Sequence, residues 1–298
     1  MTAIQMSLPA VSSDATFRTW GQAWRTNLAL CGLVQASDTG QIDWTTVLAP
    51  TAATQNRGYE IWKFADTLQA TKPVFIKILY GSSSAGATAT RLTFQVGFST
   101  DGAGNLTSSN VSDTHFLDGN PNADTWSLMC GDTNRIAINR FSNVTSVNWQ
   151  SGISIERSHD STGADTNDGV SILRMSGWNS TGAGTPGGQH DTYIPFTGPR
   201  PVGVYTTPNA LGPGGSGIYG LDVGVFPVYP FKGKYLPPRV NVLAYYGPDL
   251  TQNLPIQITH YGSAKTYMPL GIGSACGTYS APSYRGGGGN SSWMMRWE

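Results

Sequence analysis

Histidines and aspartates are the residues of this sequence that come nearest to a metal-binding pattern. There are four histidines, and two of them, His159 and His190, are each followed directly by an aspartate. A carboxylate that supports a histidine is common in metal sites. Adjacent residues of a strand lie on opposite faces, however, so neither pair could bind one ion unless a turn intervenes. We therefore predict no metal site.

The segment 160–169 has the oxygen-rich composition of a calcium loop. Its carboxylates do not fall at alternate positions before a glycine at the sixth, and no glutamate follows at the twelfth. A solvated turn is therefore the expected state of this segment.

Common catalytic and nucleotide-binding motifs are absent from the sequence. No GxSxG, GxxxxGK[ST] or strand-GxGxxG-helix unit occurs, and Ser158, His159 and Asp160 are contiguous, so they cannot form a triad. Glycoside hydrolysis would need two facing carboxylates. The sequence offers five candidates but does not pair them: Glu60, Asp118, Asp124, Glu156 and Asp222. We predict that the protein is not an enzyme and uses no cofactor.

The composition also limits the classes of partner. The chain has 298 residues, a formal net charge of zero and 12% charged residues, about half the usual share of roughly 25%. Such a chain lacks the basic footprint of a nucleic-acid binder. It also lacks the net charge that keeps monomers apart, so stable assembly with partners would suit its surface.

Cellular location and redox state are indicated by what the sequence lacks. No segment approaches the roughly 18 apolar residues of a membrane span, and the start MTAIQMSLPAVSSD has no basic and apolar signal pattern. We expect synthesis in the cytoplasm and no membrane insertion. Cys31, Cys130 and Cys276 are far apart and form no CxxC pair, so we interpret them as reduced core residues.

One amphipathic helix is predicted near the N-terminus. Ser13 and Asp14 offer an N-cap, Gly32 a C-terminal stop, and apolar residues recur three and four positions apart. This stripe consists of Phe17, Trp20, Trp24, Leu28 and Cys31. It requires a large apolar surface, which is either the sheet of its own domain, as is usual, or a neighbouring subunit.

After residue 41 the pattern is that of β-strands punctuated by glycine and proline. Residues 59–64, 73–80 and 91–98 predict a three-stranded meander. Further strands are predicted at 125–130, 134–140, 152–157, 169–175, 202–206, 220–228, 239–246, 254–261 and 265–270. The predicted fold is all-β, mainly an antiparallel β-sandwich or jelly-roll-like, with one N-terminal amphipathic helix.

The predicted domain organisation has three parts. Residues 1–176 hold the helix and a β-rich region, residues 177–285 a second β-rich region, and both regions could form one domain. Residues 286–298 combine a glycine linker with an apolar tail. That tail either docks into a groove on an adjacent chain or folds back on its own body. The predicted assembly contacts are Phe17, Trp20, Trp24, Trp293, Met294, Met295 and Trp297.

Three segments of the first third carry a family resemblance. Residues 32–44 (GLVQASDTGQIDW), 57–64 (RGYEIWKF) and 73–81 (PVFIKILYG), together with the helix before them and the DGAGNL turn at 101–106, resemble structural proteins of tailed bacteriophages. The resemblance implies a virion component of the tail, neck or capsid-associated group, with no catalytic residues to carry over. The other two thirds match no motif.

Two functions follow as expectations. The first is a virion structural protein, synthesised in the host cytoplasm, that assembles as a homo-oligomer with copies of itself and with other virion proteins. The alternative is a receptor-binding module of a tail fibre whose aromatic residues stack on host cell-surface glycan, with Trp178 and Tyr193 as the candidates. A polysaccharide depolymerase would require two close carboxylates in a cleft.

Overall fold

A computed structural model of the chain describes residues 1–112, 114–119, 126–144, 147–159, 165–180, 190–196, 224–227, 242–246, 255–260, 263–270 and 291–297. Within these residues the fold is mainly antiparallel β-sheet with one α-helix near the N-terminus. The predicted fold class, all-β with a single helix, is confirmed.

The strands form three antiparallel sheets. Sheet 1 has the order β1 (Thr2–Met6), β7 (Trp126–Asp132), β8 (Arg135–Val144), β9 (Val147–His159), β10 (Asp165–Ser180) and β11 (His190–Pro195). Sheet 2 has the order β2 (Val34–Gln35), β3 (Asn56–Lys63), β4 (Phe75–Ser83), β5 (Gly86–Gly97) and β6 (His115–Asp118). Sheet 3 has the order β12 (Gly224–Pro227), β13 (Val242–Tyr246), β16 (Ser291–Arg296), β15 (Ser263–Leu270) and β14 (Ile256–His260).

The helix α1 (Asp14–Leu30) has the predicted ends. The Ser13 hydroxyl accepts a hydrogen bond from the Thr16 amide at 3.2 Å, and the Thr16 hydroxyl accepts one from the Ser13 amide at 2.9 Å. At the other end Gly32 has φ +95°, and the amides of Gly32 and Leu33 donate to the last helical carbonyls. This is a Schellman motif, which only a residue tolerant of positive φ adopts without strain.

The predicted meander is confirmed as β3, β4 and β5, which are neighbours in chain order. A short 3-10 helix, Thr67–Ala70, connects β3 to β4. Sequence patterning did not predict β1, β2, β6, β11 or β16. The predicted strand at 202–206 lies outside the described residues.

Sheets 1 and 2 and α1 share one hydrophobic core. The inward side chains alternate along each strand with residues of the other face. Sheet 2 contributes Ile76, Ile78, Leu92, Phe94 and Val96, and sheet 1 contributes Ile136, Ile138, Ile153, Ile155 and Ile172. This sandwich core determines where the polar groups described below are placed.

The predicted domain boundary after residue 176 does not match the strands. β10 continues through it to Ser180, paired throughout with β9, and β11 then adds to the same sheet. The described strands up to residue 195 therefore belong to sheets 1 and 2, whereas those from 224 to 296 form sheet 3. The glycine linker 286–290 lies outside the described residues.

Candidate functional site

The aromatic stripe of α1 is the first candidate site, and it faces the interior of this chain. Phe17, Trp20 and Trp24 have no exposed surface. Trp20 lies edge-on to Tyr80 of β4, with ring centroids 6.1 Å apart, and Phe17 lies edge-on to Trp44 at 5.6 Å. These three predicted assembly contacts are therefore buried within this chain, against Trp44, Tyr80 and Arg140.

A glycine in the middle of the helix allows this packing. A Cβ atom at Gly21 would lie 2.0 Å from the ring of Trp44. Trp44 in turn lies edge-on to Tyr80, with centroids 4.9 Å apart. The absence of a side chain at Gly21 thus lets the segment after β2 press an indole ring between the helix and the sheet.

At the centre of this cluster lies the buried carboxylate of Glu60. Its Oε1 accepts a hydrogen bond from the Trp44 indole at 3.0 Å, and its Oε2 accepts from the Trp62 indole at 3.0 Å and from the Tyr80 hydroxyl at 2.5 Å. Glu60 itself has no exposed surface. Both carboxylate oxygens therefore have buried donors, which a buried charge needs to be tolerated.

Arg25 of α1 supplies the positive charge next to this carboxylate. Its Nε atom lies 3.6 Å from Glu60 Oε1, while 45% of its side chain remains exposed. Gln35 of β2 holds the guanidinium from the other side through a 2.6 Å hydrogen bond. The charge of Glu60 is thus countered from the surface, and its hydrogen bonds are made from within.

The chemistry of this centre is that of a structural network. Burial, and then the negative charge of Glu60, raise the pKa of the Tyr80 phenol well above its usual value, so Tyr80 remains a neutral donor. A general acid or base must reach a substrate atom, whereas every atom of Glu60 is enclosed. We infer that Glu60 joins α1, the Trp44 segment and sheet 2.

The carboxylates considered for hydrolysis are not brought together. Glu60 lies on the core face of sheet 2, and Asp118 on its opposite face, where it pairs with Arg91. Glu156 lies on sheet 1, on the face opposite to the core residue Ile155. Asp124 and Asp222 lie outside the described residues.

Two buried arginines connect the sheets. From β8, Arg140 donates to the Leu117 carbonyl at 2.8 Å and to the Thr90 hydroxyl at 2.7 Å, and its guanidinium lies 5.7 Å from the rings of both Trp20 and Trp24. From β9, Arg157 forms a two-pronged ion pair with Asp66 and donates to the Lys72 carbonyl at 2.9 Å. Both cations serve as cross-links of the sandwich.

The two histidines that precede an aspartate lie on different strands of sheet 1. His190 of β11 lies opposite Leu173 of β10, and Leu173 lies opposite Ser154 of β9. Ser154 is five positions away from His159 along β9. At about 3.3 Å per residue, the two histidines are roughly 16 Å apart along the sheet. Among the described residues no three histidine, cysteine, aspartate or glutamate side chains come together as metal ligands. Residues 160–164 of the calcium-like segment lie outside them, and Asp165 begins β10.

The C-terminal segment is a strand of sheet 3 and not a free tail. β16 pairs with β13 on one side and β15 on the other, which places Trp293, Met294 and Met295 at the middle of the sheet. The Trp297 amide continues the pairing by donating to the Thr266 carbonyl at 2.9 Å. In this structure the segment therefore pairs with strands of its own chain.

The two aromatic residues considered for glycan binding are on different strands. Trp178 of β10 lies opposite Trp149 of β9, and Trp149 lies opposite Ser142 of β8. Tyr193 of β11 lies opposite Ser171, seven positions from Trp178 along β10. The register therefore pairs Trp178 with Trp149, and not with Tyr193.

Sequence patterning missed the Glu60 network, although one indication was present. Glu60 and Trp62 are two positions apart in a strand, so they share a face, and Trp62 is a core residue. A carboxylate on a core face needs buried donors. Tryptophan and tyrosine are the apolar residues that supply them.

No helix in the described part of the chain combines the length and the apolar character needed to cross a membrane. Comparison with known proteins finds no matching protein family, no matching curated protein and no matching solved structure.

Proposed function

We propose that the protein is a structural component of a bacteriophage virion, of the tail, neck or capsid-associated group. It works without catalysis, by assembling with copies of itself and with other virion proteins. Its location is the virion, after synthesis in the host cytoplasm.

The depletion of charge at the surface carries this proposal. Only three glutamates and six lysines occur in 298 residues. Several of the charged side chains lie inside the fold, among them Glu60, Arg140 and Arg157. Protein interfaces are depleted of lysine and glutamate relative to the rest of the surface. A surface of this kind is suited to permanent contact with other chains.

The segments that resemble phage structural proteins also build the Glu60 network. Residues 32–44 contain Trp44, residues 57–64 contain Glu60 and Trp62, and residues 73–81 contain Tyr80. The resemblance thus concerns residues that hold the fold together, which supports a shared architecture more than a shared reaction.

Sedimentation of the purified full chain tests the assembly. We expect a discrete oligomer with a fixed copy number, and mass spectrometry of purified particles should find the chain as a stoichiometric component. A monomer at every concentration, together with its absence from particles, would contradict the proposal.

A second candidate is supported by the Trp149–Trp178 register. The row Ser142, Trp149 and Trp178 crosses three strands on one face and carries no charge. Directly opposite residues have Cβ atoms about 5 Å apart, so the register brings together two residues of the type that stacks on sugar rings. We expect any glycan-array signal to be lost in Trp178→Ala and kept in Tyr193→Ala. An array without signal for the full chain would exclude this function.

A further inference from the structure

β16 is the last strand of the chain, yet it is the central strand of sheet 3. Its residues Ser291–Met295 pair with Tyr246–Val242 of β13, and Trp293–Arg296 pair with Leu270–Tyr267 of β15. In the described residues β13 otherwise pairs only with β12, and β15 only with β14. Sheet 3 is therefore two hairpin-like pairs that are joined by the terminal strand.

Removing β16 would leave a slot with two unpaired strand edges. Each edge is a row of amide and carbonyl groups that a partner strand must satisfy. The strand itself, SSWMMR, has three consecutive apolar residues and no proline, so it is prone to aggregation when it has no partner. Both the slot and the strand thus require continuous pairing.

The connection that leads to β16 is much longer than its geometry requires. β15 and β16 are antiparallel neighbours, and Leu270 lies opposite Trp293. Such neighbours are usually joined by about 2–5 residues. Here 20 residues, 271–290, intervene, and they include four consecutive glycines at 286–289.

We propose that in the assembled protein the slot between β13 and β15 is filled by β16 of a second copy. This strand exchange rests on the self-assembly proposed above and would be the contact that joins the copies. The same main-chain hydrogen bonds form whether the strand comes from its own chain or from a neighbour, so strand pairing favours neither. The intrachain form is favoured only by the effective concentration of β16 at its own slot, and this concentration falls as the connection lengthens.

The end of the exchanged strand would also reach sheet 1 of the acceptor. The Cys130 thiol of β7 lies 3.8 Å from the Trp297 carbonyl oxygen. Copies linked in this way would be held by sheet 3 and by β7 together. Exchange of an identical element is a common route to assemblies of copies.

Cysteine pairing between two different chains tests the exchange. Tyr245 and Ser292 lie directly opposite each other in the β13–β16 pair, at a backbone separation that a disulfide can span. Tyr245→Cys and Ser292→Cys are produced as separate chains in one cell, with Cys276→Ser in both. After the purified mixture is oxidised with oxidised glutathione, we expect a covalent dimer joined through positions 245 and 292.

The matched control uses the next residue of the same strand. Ser291 is also a serine but lies opposite Tyr246, so Ser291→Cys is on the other face of the sheet from Tyr245→Cys. We expect no covalent dimer from this combination. Each single variant produced alone is expected to remain uncrosslinked as well.

The double variant Tyr245→Cys/Ser292→Cys decides the remaining outcomes. If it closes an intrachain disulfide while the two separate chains give no dimer, the strand is not exchanged and the proposal is overturned. A failure of both to crosslink would show that β13 and β16 are not paired in this register, which also overturns it.

Shortening the connection separates this inference from the proposed function. Replacing residues 271–290 by a four-residue turn should lock β16 onto its own chain and convert the oligomer to monomer. An oligomer that survives this change, without a 245–292 crosslink, would leave virion assembly intact but refute strand exchange. A wild-type chain that never oligomerises would refute the proposed function.

Discussion

Removing the Glu60 carboxylate of β3 should strongly destabilise the packing of the helix on sheet 2. In Glu60→Ala three buried donors, the Trp44 and Trp62 indoles and the Tyr80 hydroxyl, lose their acceptor. A buried donor left unpaired costs about 1–3 kcal/mol. With about 1.5 kcal/mol for each donor, the free energy of unfolding should fall by about 4–5 kcal/mol.

A milder variant keeps the shape of the side chain and alters its charge. In Glu60→Gln the amide oxygen can accept from Trp62 and Tyr80, but the NH2 group then faces the Trp44 indole, which is also a donor. One unpaired donor and the loss of charge-assisted bonds predict a cost of about 2–3 kcal/mol. This variant remains informative if Glu60→Ala does not fold.

Urea unfolding followed by tryptophan fluorescence measures both effects, because four tryptophans belong to this cluster: Trp20, Trp24, Trp44 and Trp62. Arg25→Ala is the matched control. It removes only the half-exposed partner at 3.6 Å and should cost less than about 1 kcal/mol. If Glu60→Gln and Glu60→Ala are no more destabilised than Arg25→Ala, the Glu60 network does not hold the helix to the sheet.

Three further predictions concern other buried positions. In an ordinary helix Gly21→Ala would stabilise the protein by up to about 1 kcal/mol. Here it should destabilise the protein by about 1–3 kcal/mol, because the new Cβ meets the Trp44 ring. A higher urea midpoint for this variant would contradict the packing of Trp44 against Gly21. Asp66→Ala should cost about 3–5 kcal/mol by removing the two-pronged carboxylate pair of the buried Arg157 cation, and Asp66→Ala/Arg157→Met should recover part of this. Burial raises the pKa of Cys31 from 9.0 to about 12. Above pH 9 the unfolded thiol therefore ionises while the folded one does not, and stability should fall by up to about 1.4 kcal/mol per pH unit from pH 9 to 12. Cys31→Ala should show a flatter dependence, and equal slopes would count against the prediction.

Elements with strong local periodicity were predictable from the sequence. The helix carries its own caps in Ser13 and Gly32, and its stripe repeats every three to four residues. The meander strands alternate and follow one another in the sheet. For such elements the chain neighbours determine the structure, so a linear pattern is sufficient.

Elements that depend on distant residues could not be predicted in this way. β1 has no local partner and is a strand because it pairs with β7, more than 120 residues later. Glu60 is tolerated in the core only because Trp44 and Tyr80, each at least 16 residues away, donate to it. Pairing across such distances leaves no periodic pattern in the sequence.

The two apolar features of the sequence, the helix stripe and the C-terminal segment, therefore have different capacities for assembly. Moving α1 to another subunit would break the Glu60 network and uncover Phe17, Trp20 and Trp24, all of them fully buried. Moving β16 to another subunit would break no net main-chain hydrogen bond, because the slot of each copy receives an identical strand. The strand β16, which follows a 20-residue connection, can therefore be exchanged between subunits without a loss of hydrogen bonds. The helix cannot, because its buried contacts with Trp44 and Tyr80 would be lost.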